Sequence, residues 1–357
     1  MRALVNDGVD LDLPEAPSEE AVRFHTNLPG YAPTPMRRLQ ALAAELGLGE
    51  VLLKDETDRF GLPSFKVLGA SWAVELMLRE RPDTRTLIAA SAGNHGQAVA
   101  HVARLRGLRC RVFLPARATP ARRAAIAAEG ADLVIIDGPY ERAVVCAQQA
   151  GRDPATATIA DVGVGAFARW VIDGYASLFA EVAAQTRLDL LLVPGGVGSL
   201  AAAAARFAAR ADVHVLAIEP ETAACLSASL EAGAPVSVPT PGTVMAGLDC
   251  AEVSAAAWAS LLHGIDGTIT VSDDEAQAAV RELAATGHHV GASGAAPLAG
   301  LRVLCGEPKC SRLRRKVGLG PDTHAVLLAT EGVTDPDAYA AALQGSSDSV
   351  RFQDGCG

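Results

Sequence analysis

Short apolar runs alternate with longer amphipathic stretches along almost the whole chain. Residues 51–54, 86–90, 109–114, 132–136, 188–193, 213–218, 268–271 and 325–329 are rich in Val, Ile, Leu and Ala, with little polar alternation. Strands buried on both faces read this way, and such strands belong to parallel sheets. Between them, residues 64–79, 95–106, 120–129, 166–186 and 273–286 carry apolar side chains at helical spacing. Strand–helix alternation of this kind predicts an α/β fold with right-handed crossovers. The alanine-rich run 200–209 reads as a soluble helix, because Arg206 interrupts it and Arg210 closes it. The polar, glycine-containing tail 345–357 predicts a frayed end.

Length then sets the number of units. At 357 residues the chain is long enough for two domains. Breaks at 82–83 and 151–154 suggest a smaller unit, 79–173, inserted into a larger one made of 1–78 and 174–357. The formal net charge of −10 argues against nucleic acid or an anionic membrane as partner. With 4% aromatic residues there are few platforms for stacking bases. Nothing approaches a membrane-spanning run. Residues 1–20 carry acids and prolines where a signal peptide needs a basic end and an apolar core, so the expected location is the cytoplasm. Seven scattered cysteines without a C-x-x-C pair predict neither a disulfide framework nor a closed metal site.

Four segments carry candidate chemistry. Only four of the 31 basic residues are lysines, and one of them, Lys66 in Pro63-Ser64-Phe65-Lys66, stands at the start of a predicted apolar helix. A desolvated amine can lose its proton and condense with an aldehyde, which a guanidinium cannot do; the plainer alternative is a solvated lysine. Ser91-Ala92-Gly93-Asn94-His95-Gly96 follows a strand and opens a helix, where glycine and free amides suit a carboxylate or phenolate. Pro194-Gly195-Gly196-Val197-Gly198-Ser199 repeats that design as a nest for phosphate. The stretch from Gly196 to Ala201 also fits a dinucleotide fingerprint, with Glu219 as the acid after it. A nicotinamide reading leaves the first two segments unexplained. The fourth segment, Thr330-Glu331-Gly332-Val333-Thr334-Asp335-Pro336, follows the last strand; Thr330 offers a hydroxyl at the ligand edge of the sheet, and the plainer alternative, favoured for this segment alone, is a turn with a helix cap before Pro336.

Together these segments resemble the pyridoxal-phosphate enzymes of the threonine-dehydratase and tryptophan-synthase-β type, and within them the diaminopropionate ammonia-lyases. The likeness to that branch rests on Asp58-Arg59-Phe60-Gly61, Met245-Ala246-Gly247-Leu248 and Thr330–Pro336, with Tyr31–Pro35 and Trp170–Tyr175 also similar. The resemblance implies fold type II: two parallel-sheet α/β domains with pyridoxal 5'-phosphate in the cleft between them. It implies that Lys66 bonds to the cofactor and removes the substrate Cα proton. Asn94 would meet the ring oxygen, Gly195, Gly196, Val197, Gly198 and Ser199 the phosphate, and Thr330 the pyridine nitrogen. Ser91, Ala92, Gly93 and His95 would bind substrate, and Asp161 would be the acid associated with the L-isomer. No metal is expected, and a homodimer is. Two acids of the branch are absent: Ala92 stands where one is expected, which puts handling of the D-isomer in question, and Ala292 replaces the other, so that both changes together point to a substrate that can differ from diaminopropionate itself. The implied activity is β-elimination on a small L-amino acid, giving a 2-oxo acid and ammonia. The alternatives are a serine/threonine-type dehydratase, a β-replacement enzyme, or a non-catalytic binding protein on the same scaffold.

Overall fold

A computed structural model describes residues 2–10, 13, 15–91, 93–138, 140–163 and 165–345. Ala92, and the expected frayed tail beyond Gly345, lie outside the described residues. The strands are β1 (Ala3–Val5), β2 (Met36–Arg38), β3 (Glu50–Asp55), β4 (Thr86–Ala90), β5 (Arg109–Pro115), β6 (Asp132–Ile136), β7 (Thr156–Thr158), β8 (Leu190–Pro194), β9 (His214–Pro220), β10 (Gly267–Val271) and β11 (His324–Ala329). They form a seven-stranded sheet in the order β1-β10-β9-β8-β11-β3-β2 and a four-stranded sheet in the order β6-β5-β4-β7. The small sheet is wholly parallel, and the large one is parallel except for its antiparallel edges β1 and β2. All eight expected strands are present. The three that the pattern did not show, β1, β2 and β7, have three residues each, too few to display a period.

Continuous apolar strands are explained by where their side chains go. Leu191, Val193, Val326 and Leu328 face one core, while their neighbours Leu190, Leu192, Ala325 and Leu327 face another on the opposite side of the sheet. The first of these cores also takes in Leu87, Ala89, Val112 and Leu114 of the small sheet, so the two sheets share packing.

The expected helix 166–186 is in fact two, Ala166–Gly174 and Ala176–Gln185. The first packs against the helix Lys66–Glu80 at a point with no spare room. A methyl on Gly174 would lie 2.6 Å from the Leu68 carbonyl oxygen, and one on Gly69 would lie 2.8 Å from Val171 and from the Tyr175 ring. The helix Ala292–Gly306 showed no amphipathic signal because it is buried nearly all round, from Ser293 to Leu304.

Beneath the chain that leads from β3 to Lys66 lies a closed network of charge. Lys54 Nζ donates to Glu181 Oε2 (2.7 Å), the Thr34 carbonyl (2.9 Å) and Gln185 Oε1 (2.8 Å). Arg59 donates to Glu56 from Nε and Nη2 (2.9 and 2.6 Å), and to Glu181 from Nη1 and Nη2 (2.6 and 2.9 Å). All four charged side chains are at most 3% exposed. Among the described residues, no helix is long and apolar enough to cross a membrane.

Candidate active site

The approach to Lys66 is sewn to the end of β11. Arg59 and Leu62 exchange backbone hydrogen bonds around a turn in which Phe60 (φ 56°) and Gly61 (φ 77°) are left-handed. Ser64 bridges to Glu331, the Phe65 amide donates to the Thr330 carbonyl (3.4 Å) and the Gly332 amide to the Pro63 carbonyl (2.9 Å). Thr330 thus comes beside the lysine although 264 positions separate them in sequence. Lys66 opens its helix and donates from Nζ to Asp161 Oδ2 at 3.0 Å. Burial would strip the proton from this amine, but the neighbouring Tyr175 and Asp161 outweigh it and hold the ammonium above its ordinary range. The Tyr175 hydroxyl is buried beside it, with no hydrogen bond of normal geometry among the described residues, and burial pushes the phenol up to about 12.

Asp161 follows β7 of the small sheet, and its carbonyl accepts from the Ser199 hydroxyl at 3.0 Å. Burial would raise its carboxyl, yet the charges of His95 and Lys66 hold it well below the usual carboxylate range. His95 lies under its loop, 4% exposed, with Nε2 3.0 Å from the Ile159 carbonyl and Nδ1 3.7 Å from Asp161 Oδ2. Ser91 accepts from the Gly93 amide (3.2 Å), and Gly93 caps the helix Asn94–Leu105. Asn94 Nδ2 donates to Glu331 Oε2 at 2.6 Å. A cavity of about 220 Å³ opens beside Gly93 and Asn94, bounded by Pro63, Gln97, Arg122 and Val333 among others.

The glycine loop joins β8 to the helix Ser199–Ala208. Gly196 (φ 48°) and Gly198 (φ 86°) are left-handed, and a methyl on Gly195 would lie 2.6 Å from Glu219. The Gly195 and Gly198 amides are bonded to the Ile218 and Gly195 carbonyls, which among the described residues leaves those of Gly196, Val197 and Ser199 to meet an anion. The Ser199 hydroxyl proton, however, is directed to Asp161 and away from such an anion. Glu219 is unsuited to a ribose. It is fully buried, accepts from the Leu226 and Ser227 amides (2.7 and 2.9 Å), and is raised by burial to about 7. A phosphorylated aldehyde therefore fits these residues, and a dinucleotide does not.

Glu331, Tyr175 and Cys250 were given no role from sequence. Glu331 stands directly after Thr330 at the carboxyl end of a strand, a position where ligand-facing residues gather, and that was a usable signal. Cys250 is a charge neighbour of both Lys66 and Asp161, with a thiol pushed up to about 12 by burial. Only the folded chain brings Tyr175 and Cys250 to the amine.

A family model described as pyridoxal-phosphate dependent enzyme matches residues 28–330. The chain belongs to that family. Its cofactor is pyridoxal phosphate, as the resemblance implied, and its fold is that of the type II enzymes. Within the family it is 31% identical to the diaminopropionate ammonia-lyase of Salmonella typhimurium over 363 residues, covering 90% of each protein. The Escherichia coli diaminopropionate ammonia-lyase, solved with an aminoacrylate-PLP azomethine reaction intermediate, superposes with a TM-score of 0.88 at 26% identity, covering 96% of each chain. The biosynthetic L-threonine dehydratase of Salmonella typhimurium is also 31% identical, over 75% of this chain and 52% of its own length.

Proposed function

We propose that this chain is a lyase that carries out β-elimination on a small L-amino acid, releasing a 2-oxo acid and ammonia, as a diaminopropionate ammonia-lyase does. The observation that carries the reading is the contact of Lys66 Nζ with Asp161 at 3.0 Å, beside Thr330 and the Asn94–Glu331 pair, in a chain of this family. When bound, the cofactor supplies an aldehyde for the lysine and a ring that accepts the electrons released at Cα.

The residues divide the rest. Gly196, Val197 and Ser199 offer amides to the phosphate, with Gly195 and Gly198 shaping the loop. Thr330 faces the ring nitrogen with a hydroxyl, and Glu331 orients Asn94 toward the ring oxygen. Ser91, Ala92, Gly93 and His95 belong to the loop that receives the substrate carboxylate. Lys66 takes the Cα proton, and Asp161 makes it a stronger base by stabilising the ammonium that results. Asp161 is also the candidate route for a proton to the leaving group, which departs poorly unprotonated; such help is worth about 10²–10⁴-fold. The reading includes a division into 1–78 with 174–357 and 79–173, a homodimer, and a cytoplasmic location.

The test is 2-oxo acid release from L-diaminopropionate, L-serine and L-threonine side by side, with borohydride reduction and peptide mapping of the pyridoxyl tag. Release from L-diaminopropionate with the tag on Lys66 is expected. A strong preference for a hydroxy amino acid would move the assignment to the dehydratases, and a tag elsewhere would overturn the site.

A further inference from the structure

Diaminopropionate brings an ammonium group on Cβ, and the site described so far has little to meet it. Asp161 is already paired with Lys66, and neither Ala92 nor Ala292 offers a charge. The residue after Ala292, Ser293, is buried and accepts from the Gly247 amide at 3.0 Å. A methyl on Gly247 would lie 3.0 Å from that hydroxyl and 3.8 Å from Glu331 Oε2, the oxygen to which Asn94 donates. A methyl on Gly196, in the glycine loop, would lie 3.4 Å from the Gly247 carbonyl oxygen and from the Leu248 side chain, and 3.8 Å from Cys250 Sγ. Residues 247–250 therefore lie against both the glycine loop and the Asn94–Glu331 pair. The last of them, Cys250, is a charge neighbour of Lys66 and Asp161.

This stretch carries one acid, Asp249. Its Oδ1 is buried with no hydrogen-bond partner among the described residues. Burial raises its carboxyl above the ordinary range; Arg117 draws it down only in part, and Asp273 adds to the rise. A buried carboxylate oxygen without a donor is costly until something supplies one. An ammonium group is the compact donor that also brings the opposite charge. We propose that Asp249 receives the β-ammonium group of the substrate, and so selects amino acids with a positive charge on Cβ. The inference rests on the elimination reading and names the substrate class of its site. A neutral hydroxyl or halogen on Cβ gains little from a carboxylate, so the preference for a cation over a neutral group arises at this residue. The contact is made in the bound substrate as well as in the transition state, and it shows chiefly in KM.

Asp249→Asn tests this in the holoenzyme, because it removes the charge and keeps the shape. Steady-state turnover is read for L-diaminopropionate, and for L-serine and β-chloro-L-alanine, whose β-groups are neutral. KM for L-diaminopropionate is expected to rise about 10–100-fold, the loss of one charge-assisted hydrogen bond, with kcat much less changed. Turnover of the neutral substrates, and the visible absorption of the bound cofactor, should stay near wild type. An unchanged KM for L-diaminopropionate, or equal losses with all three substrates, would overturn the proposal. If the asparagine variant loses the cofactor absorption, Asp249→Ser takes its place under the same readings. A wild type that turns over a neutral substrate but not L-diaminopropionate would overturn this assignment and leave elimination standing. A wild type that turns over none of the three would bring down the elimination reading itself, and this assignment with it.

Discussion

Two groups of buried charge stand at either end of the same short stretch of chain, and they are finished differently. In the network of Lys54, Glu56, Arg59 and Glu181, two cations meet two anions, and every charged group has at least two hydrogen bonds. Around Lys66, the amine pairs with Asp161 at 3.0 Å and His95 Nδ1 lies 3.7 Å from the same carboxylate, while among the described residues neither His95 Nδ1 nor Tyr175 Oη makes a hydrogen bond of normal geometry. A saturated network fixes a structure, since each member is costly to remove. An unsaturated one keeps atoms available for reactants and shifts the titration of its members. The difference teaches that buried charge alone does not mark the site, and an unpaired atom alone does not either, since Trp72, Thr84 and Glu307 also bury polar atoms without partners; the contrast lies in how each group of charge is completed.

The largest effect expected on either side of that contrast is that of Lys66→Ala. Turnover and the pyridoxyl tag on the 66-containing peptide should both vanish while circular dichroism shows the apoprotein still folded; a retained tag would end the case for this amine. Asp161→Asn should follow, with turnover lower by about 10²–10⁴-fold and the fold intact, read by steady-state assay beside circular dichroism.

On the structural side, Glu181→Gln removes the anion shared by Arg59 and Lys54. Denaturant unfolding should show a loss of about 3–5 kcal/mol, the usual cost of leaving buried charge uncompensated. A variant as stable as wild type would mean that this network holds nothing. The smallest effect is its pH signature. Burial would raise the Glu181 carboxyl, but Arg59 and Lys54 bring it down to about 2 from its ordinary 4.5. A depressed carboxylate stabilises the fold above its ordinary value, and that contribution drains away as pH falls through about 2. Unfolding curves taken between pH 5 and 2 should therefore converge for wild type and Glu181→Gln.

The parallel sheets were legible because their strands are apolar on both faces, and the helix starting at Asp273 because its apolar side chains recur at helical spacing; the reciprocal cap of Ser272 and Glu275 was a signal left unused. Lys66 stood out by rarity, and the glycine loop by composition. Glu331 was quoted within a motif, yet its bond to Asn94 depends on β11 ending beside the turn before Lys66. The split at Gly174 was hidden because the helical period runs unbroken through it; the break comes from contact with another helix. Tyr175 was quoted within a similar segment, yet its place beside the amine depends on the same packing. The absence of an acid at Ala92 can be read only from sequence, and it predicts that the D-isomer of diaminopropionate is a poor substrate.

Lys66 descends from the large sheet and Asp161 hangs from the small one, so their 3.0 Å contact works like the jaws of a caliper. A drift of one layer against the other would open the jaws. Warmed gradually, the protein should fall silent while still folded, and reviving on cooling would mark misalignment and not melting as the cause.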